Sequence, residues 1–160
     1  MIYMECKNNF FEKEGIPFSI YLSIIHRQYR IFVNKLLEKE GISVAQVPIL
    51  NYLSKHECAY QDEISNIYKI DKGSIARSVR KLELQNLIYK EIDSTNRRRY
   101  NLYLTESGKE LANKIWEIDK QWENKFYSRL NLNKNEIEEV IKKMTLTAIN
   151  INKTEDNKIE

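Results

Sequence analysis

The chain has 160 residues, enough for one domain or two closely fused subdomains that bury roughly 70% of the unfolded surface. Hydrophobic residues make up 42% and charged residues 31%, as in ordinary soluble globular proteins. Two prolines and four glycines argue against long irregular loops and favour helices. The net charge of +3, from 26 Lys and Arg against 23 Asp and Glu, is too small by itself to indicate nucleic acid. Cys6 and Cys58 are too few for a disulfide framework, which fits a reducing compartment. The sequence shows neither a signal-peptide pattern nor a run of about 18 apolar residues, so the expectation is a cytoplasmic protein without a membrane partner.

In chain order, Gly15-Ile16-Pro17 is a break before a helix that runs from Phe18 to Glu40 and closes at Gly41. Leu22, Ile25, Tyr29, Phe32 and Leu36 form one apolar stripe, and Tyr21, Ile24 and Ile31 form another. A helix apolar on two sides touches two partners, a core and a second subunit being candidates. Ser43 is the expected N-cap of the next helix, with Val47, Leu50 and Leu53 inward and Pro48 near its first turn. A short helix over 60–68 places Ile64, Ile67 and Tyr68 inward. Asp71 then caps a fourth helix to about Leu84, with Ile75, Val79 and Leu82 on its buried side.

The period next changes to two. Ile88, Lys90 and Ile92 alternate with Tyr89 and Glu91, and Tyr100, Leu102 and Leu104 alternate with Asn101 and Tyr103. These runs read as a β-hairpin with a polar tip at Asp93–Arg99. Thr105 caps a long helix striped by Leu111, Ile115, Ile118, Trp122, Phe126 and Leu130. After Asn131–Asn133 a last helix carries Ile137, Ile141, Met144 and Ala148, followed by a polar tail.

Positive charge gathers in 72–99: Lys72, Arg77, Arg80, Lys81, Lys90, Arg97, Arg98 and Arg99 stand against Glu83, Glu91 and Asp93. Turning Ile75, Val79 and Leu82 inward turns Ser74, Arg77 and Lys81 outward, flanked by Gly73 and Arg80. Small residues near the start of such a helix permit close approach to a major groove, while Arg or Lys reaches guanine or phosphate. Arg97, Arg98 and Arg99 on one turn repel each other unless an anion is near, and a minor groove supplies one. The competing reading is a solvated helix face and a basic loop paired to Asp93 and Glu91.

The stretches Tyr60-Gln61-Asp62-Glu63-Ile64-Ser65, Ile70-Asp71-Lys72-Gly73-Ser74-Ile75-Ala76-Arg77-Ser78-Val79-Arg80-Lys81-Leu82-Glu83, Asn86-Leu87-Ile88, Asn96-Arg97-Arg98 and Leu104-Thr105-Glu106-Ser107-Gly108 together resemble the MarR family of regulators. With the flanking helices the resemblance covers residues 18–150. It implies a mainly α fold with a small β-hairpin wing, a winged helix-turn-helix flanked by N- and C-terminal dimerisation helices. The corresponding divisions are an arm and first dimerisation helix at 1–42, a DNA-binding domain at 43–105, dimerisation helices at 106–150 and a polar tail at 151–160. It further implies a homodimer that represses or activates transcription at a pseudo-palindromic operator in double-stranded DNA, repression being the first expectation. The expected DNA contacts are Lys72, Gly73, Ser74, Arg77, Ser78, Arg80 and Lys81 on the recognition helix, and Asn96, Arg97, Arg98 and Arg99 on the wing. Two positions depart from the family pattern. Asn86 stands where glycine is frequent, and Asn tolerates the left-handed conformation. Asn96 replaces the wing acid that orients an arginine, leaving Asp93 or Glu91 as candidate substitutes.

Such regulators often bind small aromatic anions between the dimerisation helices and the DNA-binding lobe. Tyr21, His26, Tyr29, Arg30, Tyr52 and Trp116 are the candidates for such an effector pocket. Nothing near Cys6 or Cys58 marks a reactive thiol, and His56 with Cys58 lacks a second cluster to complete a metal site. No cofactor is expected. Phosphate-loop, G-x-S-x-G and H-E-x-x-H patterns are absent, so the expectation is not an enzyme. The rival reading is a winged-helix module that binds protein instead of DNA, which would carry acidic or apolar residues on the outward face of the fourth helix.

Overall fold

A computed structural model of the chain describes residues 14–130 and 132–156. Cys6, most of the N-terminal arm and the end of the tail lie outside the described residues. The elements are α1 (Phe18–Leu37), a 3-10 turn (Glu38–Glu40), α2 (Val47–Leu53), α3 (Gln61–Tyr68), α4 (Lys72–Leu84), β1 (Ile88–Ile92), β2 (Tyr100–Leu104), α5 (Glu106–Leu130) and α6 (Lys134–Asp156). The chain forms two compact units divided within α5, the first ending at Asp119 and the second starting at Lys120.

The first unit has one continuous core. Ile49 and Leu50 from α2, Ile64 from α3, Ile75, Val79 and Leu82 from α4, and Ile88 and Leu102 from the hairpin are each at most 1% exposed. Val33 and Leu37 of α1 and Leu111, Ala112, Ile115 and Ile118 of α5 belong to the same cluster. The strands pair antiparallel with Ile88 opposite Leu104 and Ile92 opposite Tyr100. A bridge from Ala59 to Leu102, with N–O distances of 3.2 and 2.9 Å, ties the hairpin base to the chain just before α3. In the second unit Trp122 stacks on Phe126 at 6.0 Å, and Lys134 lies 3.4 Å from Glu138 and 3.5 Å from Glu123.

Several local expectations shift. α2 starts at Val47, because Ser43 is used in a preceding turn: its N–H and hydroxyl both donate to Gln46 Oε1 at 2.9 Å. In α1 the buried positions are Val33 and Leu37, with Tyr29 and Phe32 packed beside them; Leu22, Ile25 and Leu36 are exposed. The core meets the C-terminal half of α1, so of that stripe Tyr29 and Phe32 reach it while Leu22, Ile25 and Leu36 stay exposed. α3 turns Ile64 and Ser65 inward, leaving Ile67 and Tyr68 exposed. α6 continues as helix to Asp156, past the expected start of the tail. The backbone of Asn86 is left-handed, at φ 55°, as its residue type allows.

Gly108 sets how closely α5 approaches this core. A Cβ there would lie 1.9 Å from the Leu87 carbonyl oxygen, which is already the acceptor for Thr105 N–H at 3.1 Å. Relief requires backbone movement at the junction of α4, hairpin and α5. Gly108→Ala should therefore destabilise the protein by about 1–3 kcal/mol, the usual cost of overpacking, measured as a lower urea midpoint with an unchanged m-value.

Candidate nucleic-acid interface

α4 is aimed by both its start and its inner face. Asp71 is the N-cap: its Oδ1 accepts the Ser74 N–H at 2.8 Å, and the bonds from Ser74 hold the Asp71 carboxyl below its usual pKa. The turn before it is closed by Lys69 in the left-handed region (φ 55°) and by the Ser65 hydroxyl, which donates to Ile70 O at 2.6 Å. Burial of Ile75, Val79 and Leu82 then leaves Lys72, Gly73, Arg77, Arg80 and Lys81 exposed, with Ser74 half-buried.

Ser78 is placed differently from the expected DNA contact. It is 6% exposed, donates to Ala45 O at 3.3 Å and accepts from Gln46 Nε2 at 3.4 Å. One residue before Val79 on a helix, it falls on the edge packed against the chain that leads into α2, and it docks α4 instead of facing outward. Arg77 Nη2 donates to Ser74 Oγ at 2.7 Å. Lys72 lies 3.0 Å from Asp62, but both are more than half exposed, so that pair holds little energy. Arg80 and Lys81 form no ion pair among the described residues.

The wing tip is held by side chains that bind its own backbone. Asp93, 5% exposed, accepts the N–H and hydroxyl of Thr95 on Oδ1 at 2.8 and 2.7 Å, and the Tyr60 hydroxyl on Oδ2 at 2.7 Å. Asn96 Oδ1 accepts the Arg98 backbone N–H at 3.1 Å, and Arg99 N–H bonds to Asn96 O at 2.8 Å. The Arg99 guanidinium sits 5.0 Å from the Tyr60 ring centre, within cation–π range. Asn96 thus replaces an ion pair with a backbone bond. Among the described residues no tip arginine pairs with Asp93 or Glu91, and Arg97, Arg98 and Arg99 are all exposed.

Tyr60 and the anchoring role of Asp93 are absent from the expected site. Asp93-Ser94-Thr95 carries a local signal, an acid two residues before a hydroxyl residue, whereas Tyr60 meets Asp93 across 33 residues and leaves no local trace.

The six residues proposed for an effector pocket lie on α1, α2 and α5, and several are engaged by side chains of their own unit. Tyr29 donates to Asp119 Oδ1 at 2.8 Å, and Tyr52 donates to Glu63 Oε1 at 2.6 Å, which pushes the Tyr52 pKa up to about 12. Lys55 lies 4.5 Å from the Trp116 ring centre, and Tyr21, His26 and Arg30 are exposed on α1. A cleft of about 500 Å3 occurs elsewhere, against the stacked rings of Tyr89 and Tyr103 and beside His56, Glu57, Lys109 and Asn113. None of the six lines it.

Asp93 makes the wing sensitive to acid. The Tyr60 hydroxyl first, and then Thr95, lower its pKa to about 2, against about 3.9 for an unperturbed Asp. A depressed folded-state pKa contributes stability that is complete above the unfolded value and is lost as pH falls through the folded value. Between about pH 4 and pH 2 the melting temperature of the wild type should fall more steeply than that of Asp93→Asn, as followed by circular dichroism.

The MarR family model matches residues 42–100, which span α2 to the start of β2. The HTH-type transcriptional regulator BilQ of Clostridium symbiosum (strain WAL-14163) is 29% identical over 113 residues, 71% of this chain and 78% of that protein. A crystal structure of MarR superposes with a TM-score of 0.77 at 30% identity, covering 88% of this chain and 96% of that one. A solved MepR–DNA complex from S. aureus shares the fold, with a TM-score of 0.76 at 24% identity over 86% of this chain and 99% of that one. A solved relative of 30% identity matched over nearly its whole length, together with a family match centred on the helix-turn-helix and wing, shows that this chain belongs to the MarR family.

Proposed function

We propose that the protein represses transcription as a homodimer bound to a pseudo-palindromic site in duplex DNA. In this reading α4 enters the major groove and the hairpin tip enters the adjacent minor groove. Residues 43–105 form the DNA-contacting part, while 1–42 and 106–150 supply the dimer contacts. The observation that carries the reading is an uncompensated cationic surface on two elements of one core: Arg80 and Lys81 on α4, and Arg97 and Arg98 on the tip, lack ion-pair partners among the described residues. Exposed, unpaired cations are what a polyanion neutralises, releasing counterions as it binds. Of the exposed acid and apolar side chain on α4, Glu83 is paired to Lys90 at 2.7 Å and Leu84 stands at the last position of the helix, so neither forms the stripe that a protein-binding winged helix would present.

The dimer is supported by apolar surface. Phe18, Tyr21, Leu22, Ile25 and Ile31 on α1 are 39–60% exposed. Val140, Ile141, Leu146 and Ile151 on α6 are 47–57% exposed. Repeated along two long helices, such exposure marks interaction surface. Carboxylates already take the hydroxyls of Tyr29 and Tyr52, which disfavours an anionic effector there. DNA and a second copy of the chain are the partners the reading requires.

Fluorescence-anisotropy titration of genomic fragments, the gene's own upstream region included, should find one fragment bound far more tightly than the rest, with a steep salt dependence. Equal, salt-insensitive binding to every fragment would defeat the reading. On the preferred fragment, Arg77→Ala should reduce discrimination between sequences by about 1–3 kcal/mol. Arg98→Ala should weaken binding to all sequences alike and reduce the salt slope by about one phosphate contact. Sedimentation should give twice the chain mass, and Ile25→Lys should shift that mass towards the monomer.

A further inference from the structure

The hairpin poses a mechanical problem. Two strands alone are marginally stable in water. Here the base is secured by buried Ile88 and Leu102 and by the bridge from Ala59, but the ladder then leaves the core: Ile92 and Tyr100, its last pair, are 59% and 50% exposed. The charged tip lies beyond that pair. Tyr60, next to the bridging Ala59, provides a second tie further out. Its hydroxyl reaches Asp93 Oδ2 at 2.7 Å and its ring faces Arg99 at 5.0 Å.

Tyr60 is also joined to the helices. It is the N-cap residue of α3, its backbone N–H donates to Glu63 Oε2 at 3.4 Å, and the other oxygen of Glu63 takes the Tyr52 hydroxyl from α2 at 2.6 Å. A continuous path of hydrogen bonds thus runs from the wing tip through Asp93, Tyr60 and Glu63 to α2, on whose core α4 is packed. At the tip end of this path, Asp93 is almost fully buried, where a carboxylate oxygen deprived of its donor is costly.

We infer that Tyr60 is a positioning residue for DNA binding: through Asp93 and Arg99 it fixes the wing to the helix-turn-helix, so that the tip arginines meet the duplex in register with α4. The inference rests on the DNA-binding reading above. Without the tie the arginines keep their charge but not their place, and must be ordered on binding, which lowers affinity. Tyr60 touches no DNA in this scheme and acts only through the wing.

The test uses the full chain and a duplex that the wild type itself selects from a random-sequence pool. Tyr60→Phe removes a single oxygen; circular dichroism and sedimentation should show the wild-type fold and mass. Affinity should fall by about three- to tenfold, the scale of one lost hydrogen bond, with a shallower salt slope. Hydroxyl-radical protection of the flanking minor groove should weaken while methylation protection in the major groove persists. A purely structural defect would lower both protections together. Asp93→Asn, which approaches the same bond from the wing side, should reproduce the pattern and covers the case in which Tyr60→Phe misfolds. In an Arg97→Ala/Arg98→Ala background, Tyr60→Phe should add little, because contacts already lost cannot be misplaced. Unchanged affinity and protection in both Tyr60→Phe and Asp93→Asn, or an equal loss on Tyr60→Phe with and without the two arginines, overturns the inference while leaving DNA binding intact. If removing the two arginines itself changes neither affinity nor salt slope, the assignment of the wing to DNA falls, and the inference with it.

Discussion

Burial of one helix face organises the molecule. Ile75, Val79 and Leu82 of α4 are almost completely removed from solvent, against Ile49 and Leu50 of α2, Ile64 of α3 and the hairpin residues Ile88 and Leu102. A helix so committed on one side has no freedom over what it shows on the other. At 3.6 residues per turn, the exposed positions include Lys72, Gly73, Arg77, Arg80 and Lys81. The apolar contacts hold the helix in place, and the charges, which contribute little to stability while exposed, remain available to a partner.

The same economy governs the wing. Three neighbouring arginines would spread the tip apart, and carboxylates used to pair with them would cancel the charge. Asp93 and Asn96 are instead turned onto backbone and hydroxyl donors. The loop is stiffened without neutralising its cations. Replacement of the usual wing acid by Asn96 is therefore compatible with an ordered tip, since the amide oxygen takes a backbone N–H and the acid at position 93 anchors the turn.

The two compact units differ in how they are finished. The first closes a core around α2, whose Val47, Ile49, Leu50, Tyr52 and Leu53 are all buried, while Phe18, Leu22, Ile25 and Ile31 of α1 stay exposed. The second, from Lys120 onwards, has no fully buried residue among those described, and α6 keeps Val140, Ile141, Leu146 and Ile151 in solvent. Helices of this kind gain most of their stability from packing an apolar face, which the proposed homodimer would supply.

Local chemistry alone determined a good part of this. The switch from period 3.6 to period 2 at Ile88, the cap at Asp71, the inward triplet of α4, the left-handed Asn86 and the concentration of cations between 72 and 99 all follow from residue type and spacing, because each depends on neighbours a few positions away. The candidate interface was legible to the same extent, in that Lys72, Arg77, Arg80 and Lys81 of α4 and the tip arginines are exposed as their spacing predicts. Tertiary structure decided the remainder. Ser78 turned inward because Ala45 and Gln46 stand beside it, α1 buried Val33 and Leu37 because the core reaches only its C-terminal half, and Ser43 spent its hydroxyl on Gln46 instead of a helix start. Tyr60 met Asp93 across 33 residues. Side-chain pairings between distant segments depend on how whole elements pack, and no pattern of spacing along the chain encodes which two will touch.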